Sequence, residues 1–428
     1  MKTIRRLSTV LVASLLLAGS LEAQVVVIHG GKIFTLSGPP IESGTVLIRD
    51  GIIIEVGASI SIPADAVVID AAGLEVYPGL FDAMTRLGLT EIGQVTVTND
   101  MLELGEFNPH LLGVTAVHPS SEHIPVARAN GITHVVAMPN ARAGGIGGQG
   151  SLVHLDGWTV EEMLIESSVG FSMNWPNLRT REFDRATRTV RERSFREAKE
   201  QYDEQVEELA AWLAAARQYA NAVAAGSDVP RDLKLEALSR AVAGELPLLV
   251  SAGTERQIRD VIAFAEENDV RVVILGGREA WRVADDLAGS DIPVILGPTQ
   301  TLPGDEISYD RMYAQPGLLY EAGVTFALST FNSASSRTLP YEAGSAVSFG
   351  LPHEEALKAI TINAAEILGV GDRLGTIEPG KIANIIVTDG DPLEITTQVK
   401  HLIISGRPTS LDNKHLRLYE KYRARPKG

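Results

Sequence analysis

Residue types that do metal, nucleophile or phosphate chemistry are thinly spread along this chain of 428 residues. It has nine histidines and no cysteine, which excludes disulfides, thiolate metal sites and cysteine nucleophiles together. His110, His118 and His123 cluster just downstream of Glu103 and Glu106. Imidazole and carboxylate are the donors that a water-activating metal needs, yet this spacing fits no established metal motif. Asn108-Pro109 and Pro119-Ser120-Ser121 surround the histidines with turn chemistry, so an exposed loop is the plainer expectation. His134 and His154 sit inside strand patterns and read as hydrogen-bonded structural histidines. The run Gly144-Gly145-Ile146-Gly147-Gly148-Gln149-Gly150 lacks the Lys-Ser/Thr ending of a phosphate loop and the helix start of a dinucleotide fingerprint. It reads as a tight turn. No Gly-x-Ser-x-Gly elbow follows a strand, so serine hydrolase chemistry has no support.

Composition narrows the class further. The formal net charge is −16, with 54 acidic against 38 basic residues, which argues against a nucleic-acid partner. A hydrophobic share of 45% with 40 glycines and 21 prolines describes a globular chain rich in turns. At the start, Lys2, Arg5 and Arg6 precede an apolar stretch from Leu7 to Gly19, and small residues follow before Gln24. Residues 1–23 therefore read as a signal peptide. Ser20 stands where a lipidated cysteine would be, so the expected location is periplasmic or extracellular without an anchor. No later stretch is long and apolar enough to span a bilayer, and no membrane partner is expected.

The elements that must position any site fall into two groups. Residues 24–77 carry short β-branched runs broken by Gly30-Gly31, Asp50-Gly51 and Ala72-Gly73. Comparable runs return within residues 372–410, at Ile382–Val387 and His401–Ile404. A small β-sandwich built from both termini is expected. Between them, residues 78–371 alternate strand and helix patterns. Eight strand candidates begin near Gly79, Thr133, Ser151, Val169, Leu248, Val272, Val294 and Val324, several followed by helices. That rhythm predicts an α/β chain with a (β/α)8 TIM-like barrel, and a doubly wound sheet is the alternative. A helical insertion at about 184–226, glycine-free from Asp184 to Ala225, interrupts it. Its Tyr202, Val206, Leu209, Leu213, Ala216, Ala220 and Val223 recur at heptad spacing, a seam for the chain's own barrel or for a partner. Residues 411–428 form a C-terminal tail.

Tyr77-Pro78-Gly79-Leu80-Phe81-Asp82 resembles the first barrel strand of the amidohydrolase superfamily, which continues as Asp-x-His-x-His. Gly51–Gly57, Glu355–Ala365 and Leu374–Asn384 are similar to its small-domain entry, last barrel helix and return strand. The resemblance covers nearly the whole chain after residue 23 and points to exported, imidazolonepropionase-like members. It implies one or two divalent metals, zinc or a similar ion, held by the His-x-His pair, histidines at strands five and six and an aspartate at strand eight. The metal-bound hydroxide then attacks a carbonyl or imine carbon.

This sequence departs from that pattern at each of those positions. Met84 and Arg86 replace the two histidines, Ser251 the strand-five histidine, and Gly276 the strand-six position; Thr330 or Phe331 stands in place of the aspartate. No histidine lies between His154 and His353, and no acid between Gly323 and Tyr341. No metal or other cofactor is expected. Two readings follow. One is an exported non-catalytic protein, a ligand-binding or partner subunit. The other is a hydrolase of carbon–nitrogen bonds working through a rearranged site. Arg86 is the candidate ligand-binding residue, for a small carboxylate-bearing molecule, since a guanidinium stays charged but activates no water. A homo- or hetero-oligomer with a related amidohydrolase is the partner expected.

Overall fold

The computed structural model describes residues 25–184, 189–302, 304 and 307–426. The expected signal peptide lies outside the described residues.

Five short strands open the chain: β1 (Val25–Ile33), β2 (Ile41–Arg49), β3 (Ile52–Gly57), β4 (Val67–Asp70) and β5 (Glu75–Pro78). The central region follows with β6 (Leu80–Thr85), β7 (Ile132–Ala137), β8 (Gly145–Gln149), β9 (Ser151–His154), β10 (Leu164–Glu166) and β11 (Phe171–Asn174). It continues through a hairpin, β12 (Arg181–Asp184) with β13 (Thr189–Glu192), and then β14 (Leu248–Ala252), β15 (Val272–Gly276), β16 (Val294–Leu296) and β17 (Phe326–Leu328). The end supplies β18 (Ile385–Thr388), β19 (Val399–Ile404) and β20 (Arg407–Thr409). This is a mixed α/β chain with a separate sheet unit.

That unit is one eight-stranded sheet in the order β20-β19-β18-β5-β1-β2-β3, with β4 also paired to β1. It curls back on itself: the Ile53 amide donates to Lys381 O, and Ala383 donates to Gly51 O. Val26, Ile28, Val46, Ile48, Ile385 and Ile403 fill the inside of the curl. The alternating β-branched runs at both ends of the chain account for this, since each strand buries one face.

In the central region, β11, β14, β15, β16 and β17 pair in parallel, and so do β6 and β7. The strand expected at Ser151 departs from the parallel rhythm. β9 runs antiparallel to β7, and β8 antiparallel to β11. The connection from Ala137 to Gly145 is too short for the crossover that a parallel return requires, so the chain reverses. Hydrogen bonds tie the two central sheets together at both edges. Phe331 N donates to Met84 O at 3.1 Å, and Gly150 N to Gly170 O at 3.0 Å. Along the strands, period-two alternation sends Phe81, Val136, Leu152, Leu249, Val273, Ile295 and Ala327 into one apolar cluster. Their neighbours Leu80, Val135, Val153, Leu248, Ile274 and Leu328 join another, shared with the helices.

The helix Phe195–Ala224 starts at a capping box in which Ser194 and Glu197 satisfy each other's backbone amides. Its stripe faces the chain's own core: Tyr202, Leu209, Leu213 and Ala216 are buried, while Val223 is exposed. Trp212 stacks on Phe107, and Trp175 Nε1 donates to Tyr202 Oη at 2.8 Å. The tail forms the helix Lys414–Arg423, which buries none of its residues.

Candidate functional site

The sequence places its candidate residues at the C-terminal ends of the parallel strands, and each can be located there. Met84, on β6, is buried in the same apolar cluster as Met138 and Leu275, with Phe331 packed against it. Two residues on, Arg86 is half-buried. Its Nε is enclosed without a hydrogen-bond partner, the side chain joins no ion pair among the described residues, and desolvation pulls its pKa down. Ser251, half-buried on β14, stands opposite Asn174 of β11. Gly276 ends β15 with φ of +88° and brings no side chain. Thr330 is buried, and its hydroxyl is committed to Asp82, at 2.6 Å from Oδ2.

Asp82 is the residue around which these strand ends are built. Ser329 Oγ and Thr330 N both donate to its Oδ1, the latter at 3.0 Å. Ser329 Oγ also accepts from Met84 N at 2.8 Å, which fixes β17 against β6. Asp82 is fully buried, and desolvation pushes its carboxyl up from 3.8 to about 6 against the pull of those donors. A second buried acid lies behind the strands. Glu342, on the helix Leu339–Ser348, accepts from Thr299 N at 2.8 Å and from Thr299 Oγ1 at 3.0 Å. Burial raises it from 4.5 to about 7, and the Asp82 carboxylate adds repulsion. The sequence reading missed Glu342, which is one residue beyond the acid-free interval it noted.

The remaining histidines do not converge on these strand ends. His118 is exposed, and a ring nitrogen of His123 meets Glu91 O at 2.9 Å. Among the described residues, no group of three His, Asp or Glu side chains could hold a metal. His134 and His154 pair across β7 and β9, and Asn384 Nδ2 donates to the Nδ1 of each, at 3.2 and 3.3 Å. Ser405 N donates to Asn384 Oδ1, which orients that amide. Burial holds His134 well below its usual pKa and lowers His154 to about 4. Both rings are therefore neutral, and they tie the curled sheet to the central strands. The glycine run is a strand, not only a turn. A Cβ on Gly145 would fall 2.4 Å from Glu106 O, and one on Gly150 2.4 Å from Met138 Cε.

The amidohydrolase family model matches residues 307–409. An amidohydrolase structure from Thermotoga maritima superposes with a TM-score of 0.78 at 26% identity, covering 90% of this chain and 99% of that one. Amidohydrolase tasK of Hapsidospora irregularis is 25% identical over 419 residues, 87% of this chain but 41% of its own length. An imidazolonepropionase of Syntrophobacter fumaroxidans is 37% identical over 93 residues, 21% of this chain and 22% of its own. The chain spans less than half the length of these two curated relatives in its matches to them. The family model, the relatives and the solved structure together support the amidohydrolase superfamily as the group this chain resembles.

Proposed function

We propose that this chain is a non-catalytic amidohydrolase-fold protein, exported from the cytoplasm, that serves as a ligand-binding or partner subunit. In this reading β6, β7, the β8–β9 strand, β11 and β14–β17 close an eight-stranded barrel. The curled terminal sheet is its small sandwich domain. The observation that carries the proposal is the chemistry at the strand ends. Met84 offers a soft thioether already packed among apolar side chains, Arg86 a cation, Ser251 and Thr330 neutral hydroxyls, and Gly276 nothing. A catalytic divalent metal needs imidazole nitrogen and carboxylate oxygen with one position open. This donor set does not fit such a metal, and the carboxylate beside it, Asp82, is fully buried and held by donors from Ser329 and Thr330, which follow β17.

Arg86 supports the ligand-binding form. A half-buried guanidinium with an unpartnered Nε is a costly arrangement that an anion would relieve. A small carboxylate-bearing molecule is the ligand class proposed. A homo- or hetero-oligomer with a related amidohydrolase is the alternative partner. The competing reading, a hydrolase of carbon–nitrogen bonds through a rearranged site, draws on the name of the Hapsidospora irregularis relative that aligns with most of this chain.

Elemental analysis of the purified, dialysed protein separates the two. The proposal expects no stoichiometric zinc, iron or manganese and no change in thermal midpoint with a chelator. One metal per chain, retained through dialysis and lost when His110, His118 and His123 are replaced by alanine, overturns it.

A further inference from the structure

At the opposite end of the parallel strands from Met84 and Thr330, three arginines meet around a cavity that no part of the foregoing site uses. The cavity holds about 230 Å³. Arg240, Arg271 and Arg373 line it, together with Ser168, Glu166 and Glu245. The segments that bring them together are the turn before β11, the entries to β14 and β15, and the end of the helix Ile362–Ile367.

Two of the three arginines are held by carboxylates. Arg373 pairs with Glu166 at 3.1 Å, and with Asp372 at 3.9 Å. Arg240 pairs with Glu245 at 3.4 Å. Arg271 donates to Gly244 O at 3.3 Å and joins no carboxylate among the described residues. Arg271, exposed at the rim, is thus the lining arginine left without a carboxylate partner in a chain whose formal net charge is −16. A second observation is independent of charge. Ser168 lines the same cavity and is 2% exposed as a residue, and its enclosed Oγ finds no hydrogen-bond partner among the described residues. A buried hydroxyl left unpaired costs free energy that a ligand oxygen would recover.

We infer that this cavity binds a small oxyanion, with Arg271 as the principal cation and Ser168 as a hydroxyl donor. Guanidinium groups present planar paired donors that match the oxygens of phosphate and carboxylate. Arg240 and Arg373, already oriented by Glu245 and Glu166, add positive potential around that position. The neighbouring cavity, of about 680 Å³, shares Pro247 and Arg271 but is lined by Glu266, Asp291 and Glu366. Those acids favour the arginine-lined side for an anion. The inference does not depend on whether the chain is catalytic.

Titration calorimetry of the full chain with sodium phosphate, against sodium chloride of equal ionic strength, tests it. Saturable one-to-one binding of phosphate is expected, with chloride giving none. Removing one charge-assisted contact by Arg271→Gln should weaken it about tenfold or more. Ser168→Ala should weaken it by a smaller factor, with the thermal midpoint in phosphate-free buffer not lowered, since the hydroxyl removed has no partner there. Succinate in place of phosphate reports whether the oxyanion taken is a carboxylate; binding of either one, lost in Arg271→Gln, supports the site. No saturable heat with either anion, or an affinity that survives Arg271→Gln, overturns it. Circular dichroism of the variants separates lost binding from lost folding.

Discussion

Replacing Glu342 by glutamine should change how stability depends on pH, and the buried acids fix both the sign and the size. Asp82 moves from 3.8 to about 6 on folding and Glu342 from 4.5 to about 7, each chiefly by desolvation. An acid whose pKa is raised in the folded state binds more protons folded than unfolded. Its contribution is therefore fully present below the unfolded value and is lost as pH rises through the folded one. Each pKa unit corresponds to 1.36 kcal/mol, so each of these groups withdraws about 3 kcal/mol between pH 4 and pH 8. The two losses overlap, because part of the Glu342 shift is repulsion from Asp82. A glutamine keeps an oxygen for Thr299 N and Thr299 Oγ1 but never ionises. Glu342→Gln should match the parent protein near pH 4.5 and exceed it by about 2–3 kcal/mol near pH 8. Guanidinium unfolding followed by tryptophan fluorescence across that range reads the difference. Parallel pH curves for the two proteins, or a variant that is weaker at pH 8 than at pH 4.5 relative to the parent, would refute the reasoning.

Three further outcomes are expected. Leu209→Glu with Leu213→Glu buries two carboxylates against the chain's own core, so it should cost several kcal/mol with no change in molecular mass by light scattering; a smaller mass would identify an intermolecular seam instead. His154, lowered to about 4 by burial, contributes stability above pH 6.5 that is lost as pH falls towards 4, because the unfolded ring takes up a proton first. His154→Gln should flatten the acid limb of a thermal-midpoint profile, and an unchanged limb would assign acid lability elsewhere. Screening N-acyl amino acids and dipeptides by thermal shift should find a ligand whose affinity falls about tenfold or more in Arg86→Ala; a ligand indifferent to that change would remove Arg86 from the site.

Strand positions were readable because β-branched runs bounded by glycine turns repeat through the central region, and the structure has strands close to each of the eight positions. Direction was harder to read. Nothing in Ser151-Leu152-Val153 states which way a buried strand runs; the clue lay in the short connection before Gly145, whose glycines resembled a turn. The strand-end positions were legible because Asp82 begins a motif with a fixed register. Glu342 was not, since a lone glutamate on an apolar helix face carries no spacing signal, and its partner Thr299 lies on another strand's loop. Asn384 escaped for the same reason: its two histidines are distant in sequence and meet only when β7 and β9 pair.

The reversed strand also bears on how the chain finds its fold. Ala137 pairs with Ser151 and Val135 with Val153, whereas the parallel contacts join Leu80 to Ile132 and Phe171 to Leu248. Closing the shorter loop costs less chain entropy, and a hairpin assembles in microseconds without waiting for distant partners. The antiparallel β7–β9–β10 run, whose β9–β10 loop is shorter still, is therefore the earliest piece of central sheet that the chain can make by itself. Its β7 edge is the one that β6 later occupies. An all-parallel arrangement has no such local seed, and every strand pair in it must wait for a crossover to fold.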